Sequence, residues 1–255
     1  MSGRAAGGAH LVDFLIGGVQ KGGTTLLWSI LTRHPGILFP DGKEVHWFDN
    51  DEHYAHGPAD LASYHARYGD SADPRLWGDP TPSYLWWPAA ASRIRDYNAA
   101  MKWIVLLRDP ASRAYSHWNM ARGRGTDRLG FREALAAEDG RMRAATRRRQ
   151  AQRYSYFSRG LYAGQVARLW SHFPREQTLL LRSEWLRDDP AAIVARVLDF
   201  LGLPPMALPD DVNAFEGEYE RPIDPADRAA LVDAYAPDVR ELERLTGWDL
   251  SDWLR

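Results

Sequence analysis

A glycine-rich stretch with one lysine joins an apolar run to the start of a predicted helix. It lies within residues 11–31, LVDFLIGGVQKGGTTLLWSIL. Residues 12–16 are rich in β-branched and aromatic side chains, which predicts a buried strand of a parallel sheet. The helix is expected to begin at Thr24, so that its N-terminal N–H groups and its dipole face the loop. The stretch therefore predicts an anion site, and phosphate is the commonest anion at such a site.

The order of residues inside this loop limits the kind of phosphate site. A Walker A loop has the order G-x-x-x-x-G-K-S/T, with its lysine after the last glycine. Here Lys21 precedes Gly22 and Gly23, and Thr24 and Thr25 follow them. We therefore expect Lys21 and residues 22–25 to bind an anion in a loop of another kind. The alternative is that the glycines only allow the strand and the helix to pack closely.

A second strand–helix junction follows residues 101–107, MKWIVLL, which predict another buried strand. Arg108 comes next, and Asp109 followed by Pro110 is typical of a helix start with Asp109 as the N-cap. The alternative role for Asp109 is to bind Mg²⁺, as in a kinase. Ligands of open α/β sheets bind at the carboxyl ends of strands, and guanidinium pairs with phosphate in a bidentate manner. Arg108 is therefore a second candidate anion ligand, the alternative being a surface ion pair.

Acid–base chemistry could come from residues 43–49, KEVHWFD. The segment alternates polar and apolar side chains, so in an extended conformation Glu44 and His46 would share one face. Either side chain could accept a proton from a reacting hydroxyl. Asp49 could orient Lys43 or His46. The alternative is an ordinary exposed Lys–Glu pair beside packed aromatic side chains.

Strands alternate with helices along the chain, which predicts an α/β fold with a central parallel sheet covered by helices on both faces. Further strands are expected at residues 37–39 and 178–181, and residues 78–84, GDPTPSY, are expected to be irregular. Residues 131–153 predict one basic helix. At 255 residues and without a linker, we expect a flexible N-terminus at 1–10 and a single domain over 11–255.

Composition excludes several classes of protein. The formal net charge of −2 argues against a general nucleic-acid binder. The absence of cysteine excludes disulfides, thiolate catalysis and Cys-ligated metals. Residues 1–10 contain no apolar stretch, and no later run is long enough to span a membrane, so we expect a cytoplasmic protein. The Ala- and Arg-rich composition is typical of a GC-rich bacterial source.

These motifs together resemble those of the sulfotransferases that use PAPS (3′-phosphoadenosine 5′-phosphosulfate), in particular the bacterial and heparan-sulfate-type branch. The QKGGTT loop resembles the family's 5′-phosphosulfate loop, and VLLRDPASRAYSHW resembles its 3′-phosphate segment. RGLYAGQVARLWSHFP, LLLRSEWLRDDP, VLDFLGLP and RELERLTGW follow in the family's order, so the resemblance covers nearly the whole chain. It implies a P-loop-like sulfotransferase fold and transfer of a sulfuryl group from PAPS, without a metal.

The resemblance also implies roles for single residues. Arg108 and Ser116 would bind the 3′-phosphate, and Glu44 would be the base that deprotonates the acceptor, as in the similar segment of heparan-type enzymes. His46 is the alternative base, because the cytosolic branch of the family uses a histidine. Lys21 would stabilise the leaving 5′-phosphate of the product PAP, the desulfated nucleotide. Ser183, at a third strand end, and Arg221 are further candidates for nucleotide contacts.

The chain also departs from the family. Heparan-type enzymes carry a lysine in a Glu-Lys-Ser/Thr-Pro-x-Tyr turn, where this chain has Pro80, preceded by Asp79. A heparan-type substrate is therefore not implied, and Asp79 is a possible substrate contact. We expect an acceptor hydroxyl on a small metabolite, a natural product or a sugar.

Two other features admit two interpretations each. The arginines of residues 141–153 suggest a solvated helix face or mobile flap, or a basic lid or dock for an acidic partner. His53, His56 and His65 lack a metal-ligand spacing and are expected at the surface or in a substrate loop. Two rival functions remain: a P-loop-like small-molecule kinase and a non-catalytic nucleotide-binding module.

Overall fold

The computed structural model describes residues 10–70, 72–145, 148–208 and 221–255. The chain divides into two compact units, the first comprising Met1–Leu107 and Leu169–Phe215 and the second comprising Arg108–Arg168 and Glu216–Arg255. The strands are β1 (Phe14–Gly18), β2 (Ile37–Leu38), β3 (Leu76–Asp79), β4 (Lys102–Leu107) and β5 (Thr178–Arg182). The helices are α1 (Thr24–Leu31), α2 (Leu61–His65), α3 (Ala90–Tyr97), α4 (Pro110–Gly123), α5 (Phe131–Ala144), α6 (Arg148–Tyr154), α7 (Tyr162–His172), α8 (Ser183–Asp188), α9 (Pro190–Leu201) and α10 (Pro225–Thr246).

A parallel sheet forms the centre of the first unit, with its strands in the order β2-β3-β1-β4-β5. Phe14 pairs with Gly78 on one side of β1, and Ile16 pairs with Ile104 on the other. Because every pairing is parallel, all five strands end at the same edge of the sheet. The loop after β1 and the chain after β3 therefore leave the sheet at one edge. This confirms the predicted α/β fold with a central parallel sheet.

Helices α1 and α9 cover one face of this sheet. The side chains of β1, β4 and β5 that point to this face alternate along each strand and pack against the apolar faces of both helices (Phe14, Ile16, Ile104, Leu106, Leu179, Leu181, Leu26, Leu27, Ile30, Val194, Val197 and Leu201). On the opposite face, the fully buried Trp103 contacts Phe173, just after α7, with ring centroids 5.7 Å apart. Burial on both faces explains why these strands are continuous apolar runs.

Helices make up the second unit, and buried or half-buried carboxylates connect them. Glu138 of α5 accepts hydrogen bonds from the backbone N–H groups of Phe157 and Ser158 at 2.5 and 2.8 Å. Asp238 of α10 accepts the backbone N–H of Tyr162, at the start of α7, at 2.6 Å. These carboxylates satisfy N–H groups that the chain turns would otherwise leave without partners.

The structure differs from the prediction at three places. Residues 78–84 were expected to be irregular throughout, but Gly78 and Asp79 are the last residues of β3. The single basic helix predicted over residues 131–153 is instead two helices, α5 and α6. Helix α8, directly after β5, was not predicted. The predicted flexible segment 1–10 lies outside the described residues except for His10.

Candidate active site

The loop between β1 and α1 is fixed against the end of β4. The backbone N–H of Val19 donates to the carbonyl of Leu106 at 2.9 Å, and the N–H of Gly22 donates to the carbonyl of Val19 at 2.9 Å. A Cβ atom on Gly22 would lie only 2.5 Å from the Leu106 carbonyl oxygen. Only glycine fits this position, so close packing explains Gly22.

The other end of the loop presents an uncapped helix N-terminus. Gly23 is the N-cap of α1 with φ 92°, a left-handed conformation that favours glycine, and it has no side chain with which to cap the helix. The first turn of α1 contains no acidic residue. Lys21 precedes this turn, is half-buried and is also left-handed, with φ 70°. A helix N-terminus with no cap and no carboxylate, preceded by a lysine, can bind an anion.

Ser183 lies beside this loop, at the start of α8. Its Oγ is 3.5 Å from the position that a Cβ on Gly23 would occupy. Ser183, which was predicted to contact the nucleotide from the end of β5, is therefore next to the loop that follows β1. Both belong to the first unit.

Lys43 links the loop to the candidate base. Its Nζ donates a hydrogen bond to Thr25 Oγ1 at 2.5 Å and lies 3.4 Å from Glu44 Oε1. The other carboxylate oxygen of Glu44, Oε2, is 3.4 Å from His46 Nε2. The structure thus brings Thr25, Glu44 and His46 together, and Lys43 is a connecting residue that sequence analysis did not include in the site.

The backbone that carries Glu44 and His46 is not extended, and that part of the prediction was wrong. Glu44 has φ 63° and His46 has φ 56°, both in the left-handed region. The two side chains meet because the chain turns at each residue, rather than because they share a face of a strand. Such strain at non-glycine residues is concentrated at functional sites.

His46 is held from its other side by a buried carboxylate. His46 Nδ1 lies 2.9 Å from Oδ2 of Asp49, which is fully buried, and this confirms that Asp49 orients His46. The Ser83 hydroxyl donates to the same carboxylate oxygen. Each ring nitrogen of His46 therefore faces a carboxylate, and the ring orientation is fixed.

The surroundings of Glu44 keep its carboxyl ionised. Burial acts to raise the pKa of Glu44, but the hydrogen bond from His46 and the positive charge of Lys43 outweigh it, so the pKa is lowered from its ordinary value of 4.5. The side chain is still 36% exposed, so a substrate can reach it. An ionised and accessible carboxylate can accept a proton from a hydroxyl group.

Asp79 lies beneath this segment and does not reach the surface. It is fully buried, and it accepts hydrogen bonds from the hydroxyl groups of Tyr64 and Tyr84 at 2.8 Å and of Thr81 at 2.5 Å. Burial raises the pKa of Asp79. The predicted substrate contact by Asp79 is therefore wrong, because protein hydroxyl groups surround its carboxylate.

The candidate 3′-phosphate residues belong to the second unit. Arg108 is half-buried and its carbonyl accepts a hydrogen bond from Tyr162 at 2.9 Å, while Ser116 on α4 is 2% exposed. Asp109 caps α4 by accepting the Ser112 N–H at 2.7 Å, and it pairs with Arg228 at 2.9 Å. The N-cap interpretation of Asp109 is confirmed.

The remaining predicted residues, Arg221 and the arginines of the basic segment, also belong to the second unit. Arg221 is exposed, and its carbonyl accepts the Tyr115 hydroxyl at 2.9 Å. Within the basic segment, Arg141 pairs with the buried Asp127 at 2.7 Å, which supports a structural role for that arginine. The side chains of Arg147, Arg148 and Arg149 lie outside the described residues. Among the residues that the structure describes, no group of three His, Cys, Asp or Glu side chains could hold a metal ion.

An uncapped helix N-terminus after the central strand of a parallel sheet is a common binding site for the phosphate groups of nucleotides. The sequence model of the sulfotransferase domain matches residues 11–216. The chain belongs to the sulfotransferase domain family.

Similar proteins include enzymes of animals and bacteria. The mouse (Mus musculus) heparan sulfate glucosamine 3-O-sulfotransferase 3B1 is 34% identical over 198 residues, which are 78% of this chain and 48% of that protein. The chain thus spans about half the length of the curated relatives it matches. The crystal structure of a sulfotransferase from Alicyclobacillus acidocaldarius is 32% identical, with a TM-score of 0.83, and the match covers 95% of this chain and 98% of that one.

A more distant structure shows the fold alone. Mouse sulfotransferase SULT7A1, complexed with PAP, is 16% identical with a TM-score of 0.50, over 76% of this chain and 60% of its own. No helix among the described residues is long and apolar enough to cross a membrane. The cytoplasmic location and the bacterial source remain predictions.

Proposed function

We propose that this sulfotransferase moves a sulfuryl group from PAPS to an acceptor hydroxyl by in-line displacement. The observation that carries the proposal is the contact series from Thr25 through Lys43 to Glu44. It joins the loop suited to the 5′-phosphosulfate to an ionised, accessible carboxylate. A donor anion and a proton acceptor are the two groups that sulfuryl transfer requires at one place.

In this mechanism, Glu44 accepts the proton of the acceptor hydroxyl as its oxygen attacks sulfur. A bond forms between sulfur and the acceptor oxygen, and the bond from sulfur to the bridging oxygen breaks. The electron pair leaves on the 5′-phosphate of PAP, where Lys21 and the N–H groups and hydroxyls of residues 22–25 stabilise the developing charge. His46 fixes the position of the Glu44 carboxylate and is the alternative base.

The nucleotide is proposed to have a second attachment through its 3′-phosphate. Arg108 and Ser116 bind this phosphate, with Ser183 near the adenosine and Arg221 as a further cation. The family resemblance supports these assignments. So does the position of Arg108 directly after β4, because guanidinium binds phosphate in a bidentate manner. The binding of PAP by a distant structural relative is consistent with the same co-substrate.

The acceptor is proposed to be a sugar, a small metabolite or a natural product. The relatives named as heparan sulfate sulfotransferases support a saccharide hydroxyl. Pro80 stands where heparan-type enzymes carry a lysine, which argues against a polymer identical to theirs. We propose that residues 11–255 act as one functional domain and that the transfer needs no metal ion.

The test is a donor comparison followed by an acceptor screen. The protein is incubated with PAPS and EDTA, or with ATP and Mg²⁺, against a library of sugars and hydroxylated metabolites, and products are detected by mass spectrometry. The proposal predicts products heavier by one sulfate together with stoichiometric PAP. Phosphorylated products from ATP would instead identify a kinase. PAP binding without turnover of any acceptor would favour a non-catalytic nucleotide-binding module.

A further inference from the structure

Lys43 lies between the anion loop and the base, in a position that the family resemblance does not assign. Its Nζ contacts Thr25 on the first turn of α1 and Glu44 on the base segment, at 2.5 and 3.4 Å. The ammonium also lies 5.8 Å from the centre of the Trp28 ring, and the side chain is 19% exposed. These contacts hold a positive charge beside the place where an anion would bind.

The Lys43 ammonium retains one N–H donor that could bind a ligand. An ammonium group has three N–H donors, and the contacts to Thr25 and Glu44 occupy two of them. Strand β3 and residues 80–84, which leave the sheet at the same edge, contain no lysine or arginine, and position 80 is proline. This turn therefore supplies no cation at that edge, whereas Lys43 already contacts the loop.

We propose that Lys43 is a second catalytic cation, whose ammonium binds the non-bridging oxygens of the sulfuryl group during transfer. This inference rests on the proposed function. Lys21 stabilises the charge on the departing phosphate. Lys43 instead stabilises the sulfuryl group while it lies between the attacking and the leaving oxygen. No additional bond is made or broken by Lys43, and it keeps its proton throughout.

The first test needs no acceptor, because PAPS carries the sulfuryl group and PAP does not. The affinities of wild type and Lys43→Met for both nucleotides are measured by calorimetry at one ionic strength. Lys43→Met is expected to weaken PAPS by about 10-fold or more, the usual effect of losing a charge-assisted hydrogen bond, and to leave PAP within about 2-fold of wild type. Equal weakening of both nucleotides, or of neither, would overturn the proposal.

Lys102→Met is the matched control. The chain has three lysines, Lys21, Lys43 and Lys102. Lys102 begins β4, at the edge of the sheet opposite the loop, and its Nζ donates to the Phe200 carbonyl at 2.6 Å. Its replacement removes the same charge from the same unit and is expected to leave the ratio of PAPS to PAP affinity unchanged. A similar change in that ratio for Lys102→Met would show a general effect of charge and contradict the specific role.

Turnover provides a second measurement once an acceptor is known. Lys43→Met is expected to lower kcat by about 10- to 100-fold, and Lys43→Arg to recover part of that loss because it retains the cation. If Arg and Met variants lose the same activity while circular dichroism shows both folded, Lys43 does not act through its charge. Failure of wild type to bind either nucleotide would refute the proposed function itself, a result distinct from all of these.

Discussion

Glu44 is the residue on which the proposed chemistry depends, and two polar neighbours contact it directly, one of them held by a third residue. Lys43 lies 3.4 Å from one carboxylate oxygen, and His46 lies 3.4 Å from the other. Asp49 holds His46 from behind at 2.9 Å. Removing the carboxylate charge without changing the shape of the side chain therefore tests the base directly.

Glu44→Gln is expected to reduce turnover by about 10²- to 10⁴-fold, the usual contribution of a positioned general base. PAP affinity is expected to stay near the wild-type value, because Glu44 is assigned to the acceptor and not to the nucleotide. Glu52→Gln, which neutralises an exposed carboxylate nearby in the chain, is the control and should retain full activity. If Glu44→Gln stays active while His46→Ala does not, then His46 is the base.

The pH dependence of kcat/KM provides a second prediction for Glu44. Its pKa is lowered from 4.5, so the carboxylate persists until the pH falls through that lower value. The acid limb of the wild-type profile is therefore expected below pH 4.5. His46→Gln removes an interaction that lowers the pKa of Glu44, so the acid limb should move to higher pH. An unmoved acid limb, in protein shown to be folded at each pH, would contradict the coupling.

At the scale of elements, two hydrogen bonds hold the base segment above the turn that follows β3. The Trp47 N–H donates to the Tyr84 hydroxyl at 3.0 Å, and the His46 N–H donates to Thr81 Oγ1 at 3.4 Å. Both hydroxyls in turn donate to Asp79. Asp79 thereby positions the left-handed turns at Glu44 and His46, although it does not touch a substrate.

A pair of Tyr→Phe variants separates this positioning role from simple stability. Tyr84→Phe leaves both Asp79 and the Trp47 N–H short of a partner, which should cost about 1–3 kcal/mol of unfolding free energy and should lower kcat. Tyr68→Phe removes another buried hydroxyl, which donates to the Gly78 carbonyl at 3.2 Å. It should cost about 0.5–1.5 kcal/mol and leave kcat unchanged.

Denaturant titration and turnover measured on both variants provide the comparison. A larger loss of kcat in Tyr84→Phe than in Tyr68→Phe is expected. Equal kcat values in the two variants would show that the contact between Tyr84 and Trp47 does not position the base.

Strands and helices that a long apolar run or a capping residue marks were predictable from the sequence. Short elements without such a pattern were not. β1, β4 and β5 are buried on both faces and therefore appear as apolar runs, while Asp109 with Pro110 fixes the start of α4. β3 has only four residues and is followed by Pro80, so turn signals dominate it. The left-handed backbone at Glu44 and His46 follows from tertiary hydrogen bonds, which sequence alternation does not encode.

At the scale of the whole molecule, the two candidate nucleotide-binding motifs belong to different units. Lys21 lies in the first unit and Arg108 in the second. The family could be predicted because both motifs follow apolar strands in a fixed order along the chain. The acceptor could not, because the contacts that select it come from loop side chains without a regular spacing. We propose that the nucleotide binds to Lys21 through its 5′-phosphate and to Arg108 through its 3′-phosphate.

Nucleotide affinity tests that claim most directly. PAP and adenosine 5′-phosphosulfate, which lacks the 3′-phosphate, are titrated into wild type, Lys21→Ala and Arg108→Ala by calorimetry. Lys21→Ala is expected to weaken both nucleotides, and Arg108→Ala to weaken PAP by about 10-fold or more with little effect on adenosine 5′-phosphosulfate. If Arg108→Ala weakens the two nucleotides equally, Arg108 does not bind the 3′-phosphate, and if wild type binds no PAP, the protein does not bind this nucleotide.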